Sequence, residues 1–327
     1  MIVILRKAKI ILRKAKILLT SRYLFDNWFS LLIYYILVKF GFNVKLKAKI
    51  GNCVLELNQD VFERLVSRVS RGLIRSVRCI SGRIVVNDVE VDDLSDVIHD
   101  LEVFARVLGW NYDNASNCWA KSGIKFKAMR DTILEVFESG EYSFVDVRDK
   151  DVVDVGAYVG DSAIYFALRG ARRVIAIEPH PGAYEEMLEN IRLNNLEELI
   201  EPINAGLASK PGRVCVEDVD TKSTATTYHR PGQCDSGVPV ITLSDIIDNY
   251  NIDDNTILKM DCQRCEYDVI LNDYERIKAF KEVIFEYHED IAGKPYQELL
   301  KRLSNDYNCV LVKKNKNYGT IYCITKR

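Results

Sequence analysis

The stretch D-V-G-A-Y-V-G-D-S, residues 154–162, gathers the residue types that grip a small polar ligand. Gly156 and Gly160 let the backbone turn tightly and approach a ligand where a Cβ would intrude, and Ala157 and Tyr158 ride on that turn. Asp161 and Ser162 open a helical pattern whose N-terminus offers unpaired N–H groups. Glu178 follows 24 residues after Asp154, at the end of a second apolar run, where an acid can bind both hydroxyls of a ribose. The spacing is G-x-x-x-G, not the G-x-G-x-x-G of a dinucleotide site, and no Lys-Ser/Thr pair marks a P-loop. Asp154 beside the turn repels a pyrophosphate but pairs with a cationic amino-acid moiety. S-adenosylmethionine carries one, so the spacing favours it over NAD.

Proton-handling residues cluster at the ends of two later apolar runs. Asp261 and Glu266 follow TILKM, and Glu286 and His288 lie in VIFEYHED. An acceptor reacting beside the turn needs a close, aligned approach and, if it must lose a proton, a positioned base. His288 is the first candidate, because the ordinary imidazole pKa of about 6.5 suits proton transfer near neutrality. Glu286, two residues earlier, shares its face if the segment is a strand. Lys259 is expected to pair with a neighbouring acid, and Tyr142 to pack. Cys262-Gln-Arg-Cys265 tempts a zinc reading, but no second CxxC exists, and His229 and Cys234 would have to complete it without regular spacing. A thioredoxin-like role would place the pair elsewhere in the topology, so no metal site is expected, only two small buried residues beside the turn.

These residues need a doubly wound sheet to bring them together. From residue 151 onward the short apolar runs DVVDV, RVIAI, EPINA, TILKM and EVIFEY alternate with helical patterns, the rhythm of an α/β domain. The tail NCVLVKKNKNYGTIYCITK reads as a closing antiparallel hairpin turning at Asn315–Gly319. Residues 51–150 read as a small α+β unit. There, SVRCISGRIVVNDVEV is a hairpin about Ser81–Gly82, DLSDVIHDLEVFARVLGW is one helix behind an Asp cap, and Tyr112–Cys118 is a loop.

The motifs VVDVGAYVGDSAIYFALRGARRVIAIEPHPGAYEEMLENIRLNN, INAGLASKPG, VITLSDIID and LKMDCQRCEYDVIL, in that order, resemble FkbM-type S-adenosylmethionine-dependent methyltransferases over roughly residues 130–290. The resemblance implies a class I methyltransferase fold, a doubly wound α/β sheet of about seven strands with the last antiparallel. It also implies methyl transfer, most often to a hydroxyl of a sugar or natural product. By position, Asp154, Gly156, Ala157, Tyr158, Gly160, Asp161 and Ser162 would hold the methionine end and ribose side of the cofactor, Glu178 the ribose hydroxyls, and Asn204 with Ala205 the adenine. Where the family reads K-I-D-x-E-G-x-E, Lys259, Asp261 and Glu266 are kept. Gln263 replaces an acid and Arg264 a glycine, which motivates a second reading, a non-catalytic S-adenosylmethionine-binding scaffold.

The 327-residue chain is 48% hydrophobic and 28% charged, with a net charge of −2. That balance hides an asymmetry: residues 1–50 carry eleven Lys/Arg against Asp26 alone, leaving the rest acidic. The arm opens with ILRKAKI repeated twice, places basic and apolar residues on opposite sides of a helix, and continues into WFSLLIYYILV, too short to span a bilayer. A cytoplasmic protein with peripheral membrane contact through residues 1–42 is therefore expected. An acidic body argues against nucleic acid, so a nucleic-acid methyltransferase ranks third. Nine dispersed cysteines, an odd number, predict no disulfide framework and a reducing compartment, thermophilic cytosols being the known exception. The expected organisation is an arm (1–50), an accessory region (51–150) and a methyltransferase domain (151–327) acting on a small-molecule or glycan acceptor.

Overall fold

The computed structural model describes residues 20–39, 41–42, 45–216, 230–231 and 237–326. The repeated heptad, His229 and Cys234 lie outside the described residues. Two compact units divide the chain: Met1–Ser122 with Ala128–Gly140, and Gly123–Lys127 with Glu141–Arg327.

The first unit is built on short elements. The helix Trp28–Lys39 buries Leu31 and Tyr35, and Phe62 packs against both Phe25 and Tyr35 at ring distances of 6.1 and 5.3 Å. Several other apolar residues of this segment face outward: Tyr23 is 76% exposed, Phe29 60% and Phe42 59%. No described helix is long and apolar enough to cross a membrane. The expected hairpin at Ser81–Gly82 forms and gains a third strand, Val89–Val91, because Asn87 and Asp88 adopt positive φ and make a second tight turn. The single expected helix is instead two, Leu94–His99 and Leu101–Val107. Asp100 leaves the helical conformation, and its carboxylate accepts the N–H groups of Glu102 and Val103, capping the second helix in mid-pattern. Tyr112–Cys118 is likewise not all loop, since Asn111–Asp113 and Cys118–Lys121 pair as a hairpin.

The second unit holds a seven-stranded sheet. Its strands are β1 (Asp151–Val155), β2 (Arg173–Ile177), β3 (Ile200–Ile203), β4 (Thr256–Met260), β5 (Glu282–His288), β6 (Tyr307–Lys314) and β7 (Tyr318–Thr325), in the order β3-β2-β1-β4-β5-β7-β6. The first five are parallel, and β7 runs antiparallel to both β5 and β6. This is the doubly wound α/β class expected, with the closing hairpin in place. Every residue of β1 and β4 is buried, as a parallel sheet covered on both faces requires. Helices α1 (Asp161–Leu168), α2 (Pro181–Leu193), α3 (Leu243–Tyr250), α4 (Cys265–Asn272) and α5 (Gln297–Leu303) accompany the strands. The chain leaves β1 toward β2 on one side and β4 lies on the other, so a crevice opens beyond the carboxyl ends of β1 and β4, where ligands of open α/β sheets bind.

The cysteines overturn the expectation of free thiols. Cys53–Cys79, Cys262–Cys265 and Cys309–Cys323 are disulfides, Cys215 is also disulfide-bonded, and Cys118 is a free buried thiol. Backbone pairing explains the last of these pairs: Cys309 and Cys323 are register partners on β6 and β7. Such pairs fit an oxidising compartment or a thermophilic cytosol.

Candidate active site

The glycine turn after β1 is fixed by backbone contact. Gly156 (φ +74°) and Ala157 both donate N–H to the Ile177 carbonyl at the end of β2. A Cβ on Gly156 would lie 2.0 Å from the Asp261 carbonyl oxygen, so the turns after β1 and β4 touch only because that atom is missing. Gly160 (φ +84°) meets α2 in the same way, a Cβ there lying 2.9 Å from Met187 Cγ. Asn190, fully buried on α2, donates to the Val159 carbonyl and accepts from the Lys127 N–H, bracing the turn from behind. Nothing in the sequence around Asn190 marked it, since a helix-interior Asn has no motif of its own.

Register then sets the charges. Lys259 on β4 lies opposite Asp154 on β1, and its ammonium sits 2.7 Å from the Asp154 carboxylate with both side chains buried. Burial opposes the ammonium, but Asp154 and Asp261 outweigh it and hold its pKa above the ordinary value. Lys259 also donates to the Gly156 carbonyl at 3.0 Å, and Ser162 Oγ donates to Asp154 at 2.6 Å. Asp154 therefore already has its cationic partner inside the protein and does not wait for one on a ligand. It locks the turn. Asp161, also buried, accepts the Ser162 N–H at the start of α1.

Glu178 ends β2 almost fully buried, and its two oxygens accept the N–H groups of His180 (2.7 Å) and Tyr158 (2.9 Å). Tyr158 adopts φ +49° to reach it. Burial pushes the Glu178 carboxyl up to about 7, against the two N–H donors and Lys259, which favour its charge. Asn204, just past β3, donates to the Glu178 carbonyl at 2.9 Å, with Ala205 buried beside it. Each Glu178 oxygen keeps a lone pair for a hydroxyl donor. With the backbone cradle at Gly156, this edge fits the ribose and methionine ends of S-adenosylmethionine.

The four proton-handling residues converge at the ends of β4 and β5. Glu286 and His288 share a face as their spacing predicts, with His288 Nε2 3.4 Å from Glu286 Oε1. His288 Nδ1 faces Glu266 Oε1 at 3.7 Å, and donor atoms of Asp261, Glu286 and His288 lie within 4.8 Å of one another. Tyr318 stacks on the His288 ring, its register partner on β7, and Thr320 Oγ1 donates to Glu286. Burial lowers the His288 pKa, but Glu266 and Glu286 more than compensate and lift it to about 10. The ordinary pKa that recommended His288 as a base is thus absent. Asp261 moves the other way from most paired acids: burial and Glu286 raise its carboxyl, with Lys259 and His288 opposing. Tyr142 packs on Phe166, as expected, with Lys259 Nζ 5.9 Å from its ring centre.

The loop between Asp261 and α4 is unusual. Cys262 and Cys265 close it with their disulfide, so they offer no thiolate to a metal. Gln263 takes φ +51° and Arg264 φ +122°, a conformation that glycine adopts freely and arginine does not. Glu266 accepts the Arg264 N–H at 2.9 Å, while the Arg264 side chain is exposed.

The model of the methyltransferase FkbM domain matches residues 154–309. An uncharacterised protein, 158B, of Sulfolobus islandicus rod-shaped virus 1 is 24% identical over 171 residues, covering 50% of this chain and 81% of the viral protein. Among solved structures, the FkbM methyltransferase of Methylobacillus flagellatus is 22% identical with a TM-score of 0.41; the match covers 60% of this chain and 48% of that one, about half its length. M. jannaschii TYW2, solved with AdoMet, is 18% identical with a TM-score of 0.37, over 64% of this chain and 84% of that one. Residues 154–309, which contain the glycine turn, Glu178 and the whole β4–β5 cluster, are thus the part of the chain that matches the methyltransferase FkbM domain.

Proposed function

We propose that this methyltransferase uses S-adenosylmethionine to methylate a hydroxyl of a saccharide or lipid-linked glycan, at the inner face of a membrane. The observation that carries the reading is the convergence of Asp261, Glu286 and His288 beside the Gly156 turn. When bound, S-adenosylmethionine supplies an electrophilic methyl group on a sulfonium. Gly156 to Ser162 cradle its methionine end, Glu178 accepts the ribose hydroxyls, and Asn204 and Ala205 border the adenine. The acceptor hydroxyl lies against the β4–β5 cluster. Asp261, with a carboxyl lifted above the ordinary range, takes its proton. His288, held between Glu266 and Glu286, orients the cluster. Membrane contact is supported by the outward Tyr23, Phe29 and Phe42 and by the basic arm before them.

The test is radiolabelled methyl transfer over saccharide, lipid-linked glycan and RNA pools. Label is expected in a saccharide or lipid-linked fraction, with Asp261→Asn lowering the rate about 100-fold or more. Replacing Tyr23, Phe29 and Phe42 by serine should lower transfer to vesicle-borne acceptors and spare soluble ones. Label confined to RNA would reject the acceptor class. The Gln263–Arg264 departure favours a second reading, a cofactor-binding scaffold, and bound cofactor with no labelled pool would support it.

A further inference from the structure

We propose that Asp261, Glu286 and His288 form a divalent-cation site of the Mn2+ class, which binds the acceptor oxygen; this deepens the methyltransferase reading and rests on it. Two carboxylates and an imidazole, one oxygen or nitrogen donor each, are a ligand set for a hard to borderline cation. Their donor atoms lie within 4.8 Å of one another. Adjacent ligands of an octahedral ion with bonds of about 2.1 Å stand roughly 3 Å apart, a closure within reach of side-chain rotation.

What surrounds the three residues points to an ion independently of them. A metal-bound histidine characteristically donates its other ring N–H to a carboxylate. Here Nε2 of His288 faces Glu286, while Nδ1 faces Glu266 at 3.7 Å from the opposite side. Glu266 is fully buried, and its Oε1 and the Nδ1 it faces have no hydrogen-bond partner, while its Oε2 is fixed by the Arg264 N–H. Thr320 Oγ1 donates to Glu286 Oε2, leaving Oε1 for the cluster. Asp261 is anchored through its own N–H to the Val155 carbonyl. Asp261 is the first residue past β4, and the other ligands and supports come from α4, β5 and β7. With three protein ligands, the ion keeps positions for the acceptor hydroxyl, whose pKa it lowers.

Mn2+ titration of the full chain, followed by loss of the free-ion EPR signal, tests the site, with S-adenosylmethionine titrated into the same preparation. One Mn2+ per chain is expected. Glu286→Gln and Asp261→Asn should each weaken it 100-fold or more, and Glu266→Gln, the outer support, about 10- to 100-fold. Circular dichroism checks that the variants fold. Should one not fold, the Co2+ absorption spectrum of the wild type carries the test, a nitrogen-ligated octahedral ion being expected and the aqueous spectrum overturning the site. Cofactor binding without Mn2+ binding overturns the cation site alone, as does Mn2+ binding indifferent to Glu286→Gln. Loss of both in the wild type overturns the methyltransferase reading beneath it.

Discussion

Glu178 carries the clearest pH dependence of any single residue here. Its burial raises the carboxyl to about 7, and the His180 and Tyr158 N–H groups, with Lys259, only partly offset that, while Asp154 adds to it. A raised folded-state pKa means the stabilising contribution is full below the unfolded value of about 4.5 and is lost as pH rises through about 7. Cofactor binding runs in the opposite sense, because ribose hydroxyls donate more strongly to the ionised form. S-adenosylmethionine affinity should therefore rise several-fold from pH 6 to pH 8, and Glu178→Gln should flatten that profile; titration calorimetry at both pH values reads it. An unchanged slope in the variant would move the pH dependence elsewhere. Glu178 was legible from its distance to Asp154 and its place at the end of an apolar run. The role of Asp154 was not. Its partner Lys259 lies more than a hundred residues away and reaches it through strand register, which no local pattern encodes. The shared face of Glu286 and His288 was legible from their spacing, but the pKa of His288 depends on Glu266, which approaches from another element.

At the scale of elements, the loop from Asp261 to α4 stands out. It must pass the Gly156 turn in backbone contact and then start a helix, and it does so with two consecutive residues at positive φ. Such strain costs about 1–3 kcal/mol per residue, while a glycine adds roughly 0.5–1 kcal/mol of unfolded-state freedom. Arg264→Gly should accordingly raise stability by about 1 kcal/mol in urea unfolding, without loss of cofactor binding. A destabilised variant would show that the arginine side chain contributes more than its backbone strain costs. The strands of the sheet were readable because each is a short apolar run bounded by turn residues. The split helix was not, because Asp100 preserves the apolar spacing on both sides while its carboxylate caps a new start. The hairpin at Asn111–Lys121 was hidden by its own turn, where asparagines outnumber apolar residues.

Over the whole molecule, the site belongs to the second unit, and the FkbM domain match covers it. The order β3-β2-β1-β4-β5-β7-β6 puts Gly156 and Glu178 on the β1–β2 side of the crevice and Asp261, Glu286 and His288 on the β4–β5 side. Fold class and the glycine turn were both legible, since repeated βα rhythm and the G-x-x-x-G spacing are local signals. Disulfide pairing was not legible: it depends on which strands become neighbours, as with Cys309 and Cys323. The central claim is that the cradle formed by Gly156, Tyr158 and Glu178 binds S-adenosylmethionine. Calorimetric titration of the full chain with S-adenosylmethionine tests it most directly. One molecule bound per chain, displaced by S-adenosylhomocysteine, is the predicted result; no binding heat and no competition would contradict the account.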